Sequence, residues 1–344
     1  MVTARKLASD MGVSIASVSR ALNGKSGLSA ELRQNILDEA AKRNTYITHA
    51  ARMLATSRSQ NVCFVVYHVA GPVSADSFYF QILMGLEAEL RKAGLHLTLE
   101  VIDEDVIKDP MSWRTIRERR ADGIILTGPY VPSQFILKLH SVGVPLVLID
   151  NYLEHVQVDS VVADDRASAR VLAEHVISLG HKKVAIISGP TEWYSNRERA
   201  AGFKEAFRFH KIKEPIIYVG EETTIESGRL LFKQAIRNNY TAILAVTDPM
   251  ALGAMTEAIA SGIRIPEDLS ITGFDDIDSA ATAIVPLTTM NVPRNYLGLA
   301  AARLLWARLD DKNAPRQRID ITTNLVIRNS TGPVKEAQKR DKNG

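Results

Sequence analysis

Residues 3–23 read TARKLASDMGVSIASVSRALN. The spacing predicts two short helices joined by a tight turn. Thr3 suits an N-cap, and Leu7, Ala8 and Met11 share one helical face. Gly12 stands where the first helix must stop, at a position that suits positive φ. Ser14 can cap a second helix whose apolar positions are Val18, Ala21 and Leu22, and Asn23-Gly24 breaks it. Two helices this short bury too little surface alone, so a third must cover them. Residues 29–44 supply it, with Leu32, Ile36, Leu37 and Ala40 at helical spacing. The other side of the second helix is small and polar: Ser14, Ser17, Ser19 and Arg20. Small side chains allow close approach to a DNA major groove, and an arginine can fork onto guanine. An ordinary helical hairpin gives the same spacing.

The charge distribution points the same way. The chain of 344 residues carries a net charge of +3, but residues 1–60 hold nine Lys/Arg against four Asp/Glu. The remainder is slightly acidic. A basic module on an acidic body suits a nucleic-acid-binding head on a sensor, although a solvated basic face would look similar. The single cysteine, Cys63, lies in the apolar run VCFVVY and reads as a buried thiol, with no disulfide framework and no cysteine metal site. No apolar run approaches the ~20 residues needed to span a bilayer, and no signal-like segment opens the chain. A soluble, cytoplasmic protein without membrane partners is therefore expected.

From Asn61 the pattern becomes strands alternating with helices. VCFVVY, LHLTLEV, IILT, LVLID, KVAIIS, IIYV, AILAV and SITGF read as strands. Residues 80–93, 166–179, 196–209, 226–238 and 250–260 read as helices. Such alternation means parallel sheets covered on both faces, and the units are too many for one sheet. Two Rossmann-like α/β lobes are expected, with ligand in the cleft between them at the carboxyl ends of the strands. Several polar residues stand there: Asp150 after LVLI, Ser195 and Arg199 after KVAIISGP, Thr247 and Asp248 after AILAV, Asp275 and Asp276 after SITGF. Carboxylates accept from vicinal hydroxyls and an arginine donates from a rigid fork. Asp248 can equally cap the helix that follows, and Asp276 can simply shape its loop. No GxGxxG, Walker, HExxH or nucleophile-elbow pattern follows any strand, so no cofactor, metal or enzymatic activity is implied. His175 and His181 flank a helix end and read as caps or surface residues.

The segments VSIASVSRALNG and LSAELRQNILDEAAKRNTYITHAARMLA resemble the LacI/GalR family of bacterial transcription regulators, and the resemblance extends over residues 3 to about 333. It implies an N-terminal helix-turn-helix head (1–45), a hinge helix or linker (46–60), a two-lobed periplasmic-binding-protein-like effector and dimerisation domain (61–333), and a disordered tail (334–344). By position, Ile15, Ala16, Ser17 and Arg20 match residues that reach base edges. Thr3, Ser14, Ser19 and Asn23 match phosphate contacts or caps. Leu54, in the matching A-R-x-L, would wedge into the minor groove at the centre of a near-palindromic operator, which requires a homodimer.

SNRERAAGF, VTDPMALGAM and ITGFDD match ligand-contacting segments, which makes Asp150, Ser195, Arg199, Thr247 and Asp275 the expected effector contacts. Glu222 and Arg294 stand where sugar-binding relatives often carry aromatics, so Tyr194, Trp193 or Phe78 would have to supply a stacking face. Phe78-Tyr79-Phe80 can line the cleft or pack the helix start. Chain crossings between lobes are expected near residues 161, 290 and 323. The implied function is a repressor of carbohydrate genes released by a sugar-like inducer. The alternatives are a co-repressed regulator with a purine-like effector and a solute-binding protein.

Overall fold

Ser14 decides how the first helices divide. Its hydroxyl accepts from the Ser17 amide at 3.0 Å, which starts a new helix immediately after the turn at Gly12, whose φ is +65°. The result is α1 (Ala4–Asp10), α2 (Ile15–Leu22) and α3 (Ala30–Lys42). Ser29 caps α3 through the Leu32 amide. Leu7, Ala8, Val18, Ala21, Ile36 and Ala40 form a small closed core. Arg43 reaches back from the end of α3 to Asp10 at 2.5 Å and ties the third helix to the first.

This computed structural model describes residues 4–22, 26–43, 58–67, 77–102, 104–128, 131–153 and 155–335. The chain divides into two compact units, residues 1–60 with 119–121, and the rest. In the second unit the order is β1 (Asn61–Tyr67), α4 (Ser77–Lys92), β2 (His96–Ile102), β3 (Gly123–Thr127), α5 (Ser133–Ser141), β4 (Leu146–Ile149), β5 (Asp159–Ala163), α6 (Asp165–Ser178) and β6 (Val184–Ser188). It continues α7 (Tyr194–Phe209), β7 (Ile216–Val219), α8 (Ile225–Ala235), β8 (Ala242–Ala245), α9 (Asp248–Ala260), β9 (Ser270–Thr272), β10 (Thr289–Asn291), α10 (Arg294–Asp310), β11 (Arg318–Ile321) and β12 (Asn324–Val326), with shorter helical turns between.

The strands sort into two parallel sheets and one antiparallel pair. The first sheet has the order β11-β5-β4-β3-β1-β2, the second β7-β6-β8-β9, and β10 pairs with β12. Central strands such as β3, β4, β6 and β8 are buried at nearly every position, so they read as unbroken apolar runs rather than alternating ones. The chain leaves the first lobe at Asp164, after β5, rather than near 161, which lies inside that strand. It returns after β10 and crosses again between β11 and β12.

Three helix pairs hold the lobes: α4 with α10, α6 with α7, and α8 with α9. The first approach is close because of glycine. A Cβ on Gly85 would collide with the Asn295 carbonyl, and one on Gly298 with the Ile82 carbonyl. Helix α10 exposes Tyr296 and Trp306 and buries Arg294 and Arg308, which blurs the amphipathic stripe by which helices are recognised. Arg308 on it donates to both oxygens of buried Asp159, at 2.8 and 3.2 Å, and to the carbonyls of Lys312, Ala314 and Pro315.

His181 is not a surface residue. It is buried and joins Thr241 at 3.0 Å to the carbonyl of Gly332 at 2.9 Å. The residues expected to open a free tail are held too: the Val334 amide donates to Leu179 and Lys335 pairs with Asp268. Residues 336–344 lie outside the described residues.

Gly298→Ala should destabilise the protein by ~1–3 kcal/mol in urea unfolding, because overpacking outweighs the gain in helix propensity. Unchanged or increased stability would contradict the close approach of α4 and α10.

Candidate functional site

Each candidate cleft residue sits where a strand ends. Asp150 follows β4, Thr247 follows β8 and opens α9, and Asp275 follows β9. Ser195 and Arg199 lie one turn apart at the start of α7. Asp150, Asp275 and Asp276 all have positive φ, at 55°, 112° and 54°. Three such carboxylate-bearing residues in turns at one place mark a backbone shaped for something other than chain reversal.

Arg199 is the centre. It is only 2% exposed, and its Nε donates to Asp165 Oδ1 at 2.7 Å. Its Nη1 donates to the Val246 carbonyl at 2.8 Å and forms an ion pair with Asp275 Oδ1 at 2.9 Å. The guanidinium rests 3.9 Å above the Phe274 ring. Burial opposes its charge, but Asp165, Asp275 and Asp150 outweigh burial and raise its pKa.

The carboxylates are displaced the other way. Burial, reinforced by Asp165, pushes Asp150 well above the usual range against the pull of Arg199. Burial also raises Asp165, with Arg199 opposing. Asp275 is pushed up to about 6 by burial, with Arg199 and Arg294 holding it down. Asp150 Oδ1, Asp165 Oδ2 and Arg294 Nη1 are buried without a hydrogen-bond partner, while Asp275 Oδ1 is held by Arg199. Buried polar atoms are nearly always paired, so the unpaired Asp150 Oδ1 and Asp165 Oδ2 set this cluster apart from the surrounding core.

Among the described residues, the structure brings Arg199 and Asp275 into contact and sets Asp150 within electrostatic reach of both. Thr247 is next to the carbonyl that Arg199 holds, and its own hydroxyl makes only a 3.5 Å contact to Thr223 O. Asp248 is a structural residue. It is fully buried, accepts from Thr289 Oγ1 at 2.6 Å and from the Ile277 amide at 2.9 Å, and so locks the loop after β9. Asp276 shapes that loop through Arg328 and Asn291. Tyr79 packs into the core while Phe80 is exposed. Arg294 bridges to the Asp276 carbonyl at 2.8 Å.

Asp165 was not among the expected contacts. It follows a strand, as the others do, but β5 begins with Asp159 and Ser160 and so does not read as apolar.

On the head, Ile15, Ala16 and Arg20 are exposed on α2, and Ser17 and Ser19 are half-buried beside them, opposite buried Val18 and Ala21. Ser14 is occupied as the cap. Thr3, Asn23 and Leu54 lie outside the described residues.

The native state holds the Asp275 proton up to about pH 6, whereas an unfolded chain releases it near ~3.9. Between those values the native state binds more protons, so this group's contribution to stability falls as pH rises through that window. Asp275→Asn lacks the effect. Relative to wild type, the variant should gain stability from pH 4.5 to pH 7.5 in denaturant titrations; a constant difference would mean Asp275 titrates normally.

Residues 173–331 match the family model described as a periplasmic binding protein-like domain. The chain is 28% identical to the ribose operon repressor of Halalkalibacterium halodurans, over 96% of this chain and 97% of that protein. Its structure is similar to that of the transcriptional regulator CelR in complex with cellobiose, with a TM-score of 0.75, 26% identity, and 96% and 100% of the two chains covered. It shares the fold of the lac repressor dimer bound to operator and the anti-inducer ONPF, with a TM-score of 0.80, 24% identity, and 96% and 99% covered. No described helix is long and apolar enough to cross a membrane. Over nearly its whole length the chain is thus similar to helix-turn-helix transcriptional regulators of the LacI type.

Proposed function

We propose that this protein is a cytoplasmic repressor that binds a near-palindromic operator as a homodimer and is released from it by a sugar-like inducer. The observation that carries the effector class is the buried Arg199 ringed by Asp150, Asp165 and Asp275, with carboxylate oxygens left to accept from hydroxyls. A carboxylate accepts from hydroxyl donors but repels phosphate, and three carboxylates here face one guanidinium. The ribose and cellobiose relatives agree with this chemistry.

On the DNA side, Arg20, Ile15, Ala16 and Ser17 are the proposed base-reading residues. Ser14, Ser19, Thr3 and Asn23 set the position of the helix, and Leu54 is the proposed minor-groove wedge. Ser195, Thr247, Asp150, Arg199 and Asp275 are the proposed effector contacts. Dimerisation is supported by apolar residues left on α4 and the edge strand β2, where Phe80, Met84, Leu99 and Val101 are 41–62% exposed. The sensing step needs only that the inducer prefer the arrangement of lobes that fits the operator less well.

The test is fluorescence anisotropy on DNA from upstream of the protein's own gene, repeated at fixed salt with sugars, sugar acids and purines. Binding relieved by a sugar is the expected result. Binding strengthened by a purine would make the protein a co-repressed regulator, and no binding to that DNA or to any randomised duplex pool would overturn the DNA-binding reading. Arg20→Ala should cost ~1–3 kcal/mol and relax preference at one base pair. A uniform loss with a shallower salt slope would make Arg20 a phosphate contact. Arg199→Ala should spare operator binding and abolish the response; an unaltered induction curve would remove Arg199 from the site.

A further inference from the structure

Residues 114–120 read RTIRERR, four arginines against one glutamate. The stretch precedes β3, so it stands at the end of the first sheet opposite to Asp150, which follows the parallel strand β4. All four arginines and Glu118 are exposed. Glu118 is shared, 3.1 Å from Arg114 and 3.7 Å from Arg117. One carboxylate cannot neutralise four guanidinium groups, so the loop keeps a positive excess.

The loop is nevertheless anchored. Trp113, Thr115 and Ile116 are buried between the arginines. Trp113 Nε1 and Thr115 Oγ1 both donate to the Glu100 carboxylate on β2, each at 2.5 Å. The apolar and hydroxyl positions thus hold the loop to the sheet, and the charged positions are left in solvent. Arg119 has φ of +50°, a left-handed backbone in which asparagine would be less strained than arginine. Cations on a fixed base lose little freedom on binding an anion.

The place of the loop names the partner. Gly123, which opens β3, lies opposite Val62, and the Asp122 amide donates to the Asn61 carbonyl at 2.8 Å. Asn61 opens β1 and is joined directly to residues 46–60, which connect the sheet to the helix-turn-helix. Residues 119–121 also fall into the same compact unit as residues 1–60. Arg58, exposed just before β1, adds a further cation. A polyanion held by the head is therefore tethered to this end of the sheet. Guanidinium groups match phosphate oxygens, and residues 114–120 include no aromatic to stack on unpaired bases.

We propose that Arg114, Arg117, Arg119 and Arg120 form a second DNA-contact strip on the body of the protein, binding backbone phosphates of the duplex that the head reads. The proposal rests on the DNA-binding reading. Phosphate contacts carry no sequence information, so the strip strengthens binding to operator and non-operator DNA alike, and salt weakens its effect.

The test is fluorescence anisotropy of the full-length protein on operator DNA and on a randomised duplex of equal length, from about 50 to 200 mM salt. Arg117→Gln with Arg119→Asn should weaken binding to both duplexes about tenfold at the lowest salt and leave their ratio unchanged. The slope of log K against log salt should become shallower by ~2–4 for a dimer. Arg114→Gln alone, outside the left-handed turn, should lower the slope by ~1–2. Lysine at positions 117 and 119 should restore most of the affinity, because a phosphate needs a charge there more than a particular shape. Unchanged slopes in both neutral variants, with normal wild-type binding, would overturn the strip and leave the DNA-binding reading intact. A loss confined to operator DNA, or one that lysine does not restore, would also overturn it, since the arginines would then act through the shape of the loop. If the wild type binds neither duplex, the DNA-binding reading fails and takes the strip with it.

Discussion

A guanidinium that is almost entirely out of water must be neutralised and hydrogen-bonded where it stands. Arg199 meets that requirement by drawing together parts of the chain far apart in sequence. Asp165 comes from the start of α6, the Val246 carbonyl from the end of β8, and Asp275 and Phe274 from the loop after β9. Removing the arginine itself would leave Asp165 and Asp275 buried without their cation, which costs several times what an exposed pair contributes. The arginine therefore organises the mouth of the second lobe. It also leaves carboxylate oxygens over, because one cation cannot saturate three carboxylates.

The same economy of contacts recurs around that centre. Asp248 and Asp276 use their oxygens on the protein itself and hold the loop that presents Asp275. Arg294 and Arg318 reach from the first lobe to the Asp276 carbonyl and the Tyr194 hydroxyl of the second. These two links lie at the edges of the cleft, where a small change in lobe orientation alters their length most. A ligand that fills the space between them has differential contact with open and closed arrangements, which is what any shift of a two-state equilibrium requires. Behind the cleft the helix pairs are rigid: α10 is clasped to α4 through glycine and pinned to β5 by the buried Arg308–Asp159 pair.

Much was legible in the one-dimensional pattern. The apolar runs of β1, β3, β4, β6 and β8 are central strands buried on both faces, so burial left no alternation to misread. Helices stopped by Gly94 and Gly180 ended where positive φ was needed, at 70° and 92°. The rule that cleft residues follow strands singled out Asp150, Arg199 and Asp275, and the structure sets them close together. It passed over Asp165, their neighbour, because β5 opens with Asp159 and Ser160 and does not read as an apolar run. Helix α10 was missed because its exposed face carries Tyr296 and Trp306 while its buried face carries Arg294 and Arg308, the reverse of the usual pattern.

Residue spacing alone was enough for the helical head and the alternating α/β body, because both depend on neighbours a few residues apart. Only the tertiary structure decided which carboxylates serve the fold and which face the cleft. Asp248 and Asp275 look alike as strand-end aspartates, yet the first holds its own loop through Thr289 and Ile277 while the second is ion-paired with Arg199. That distinction is one of solvation and partner geometry, and both arise only when segments a hundred residues apart are brought into contact.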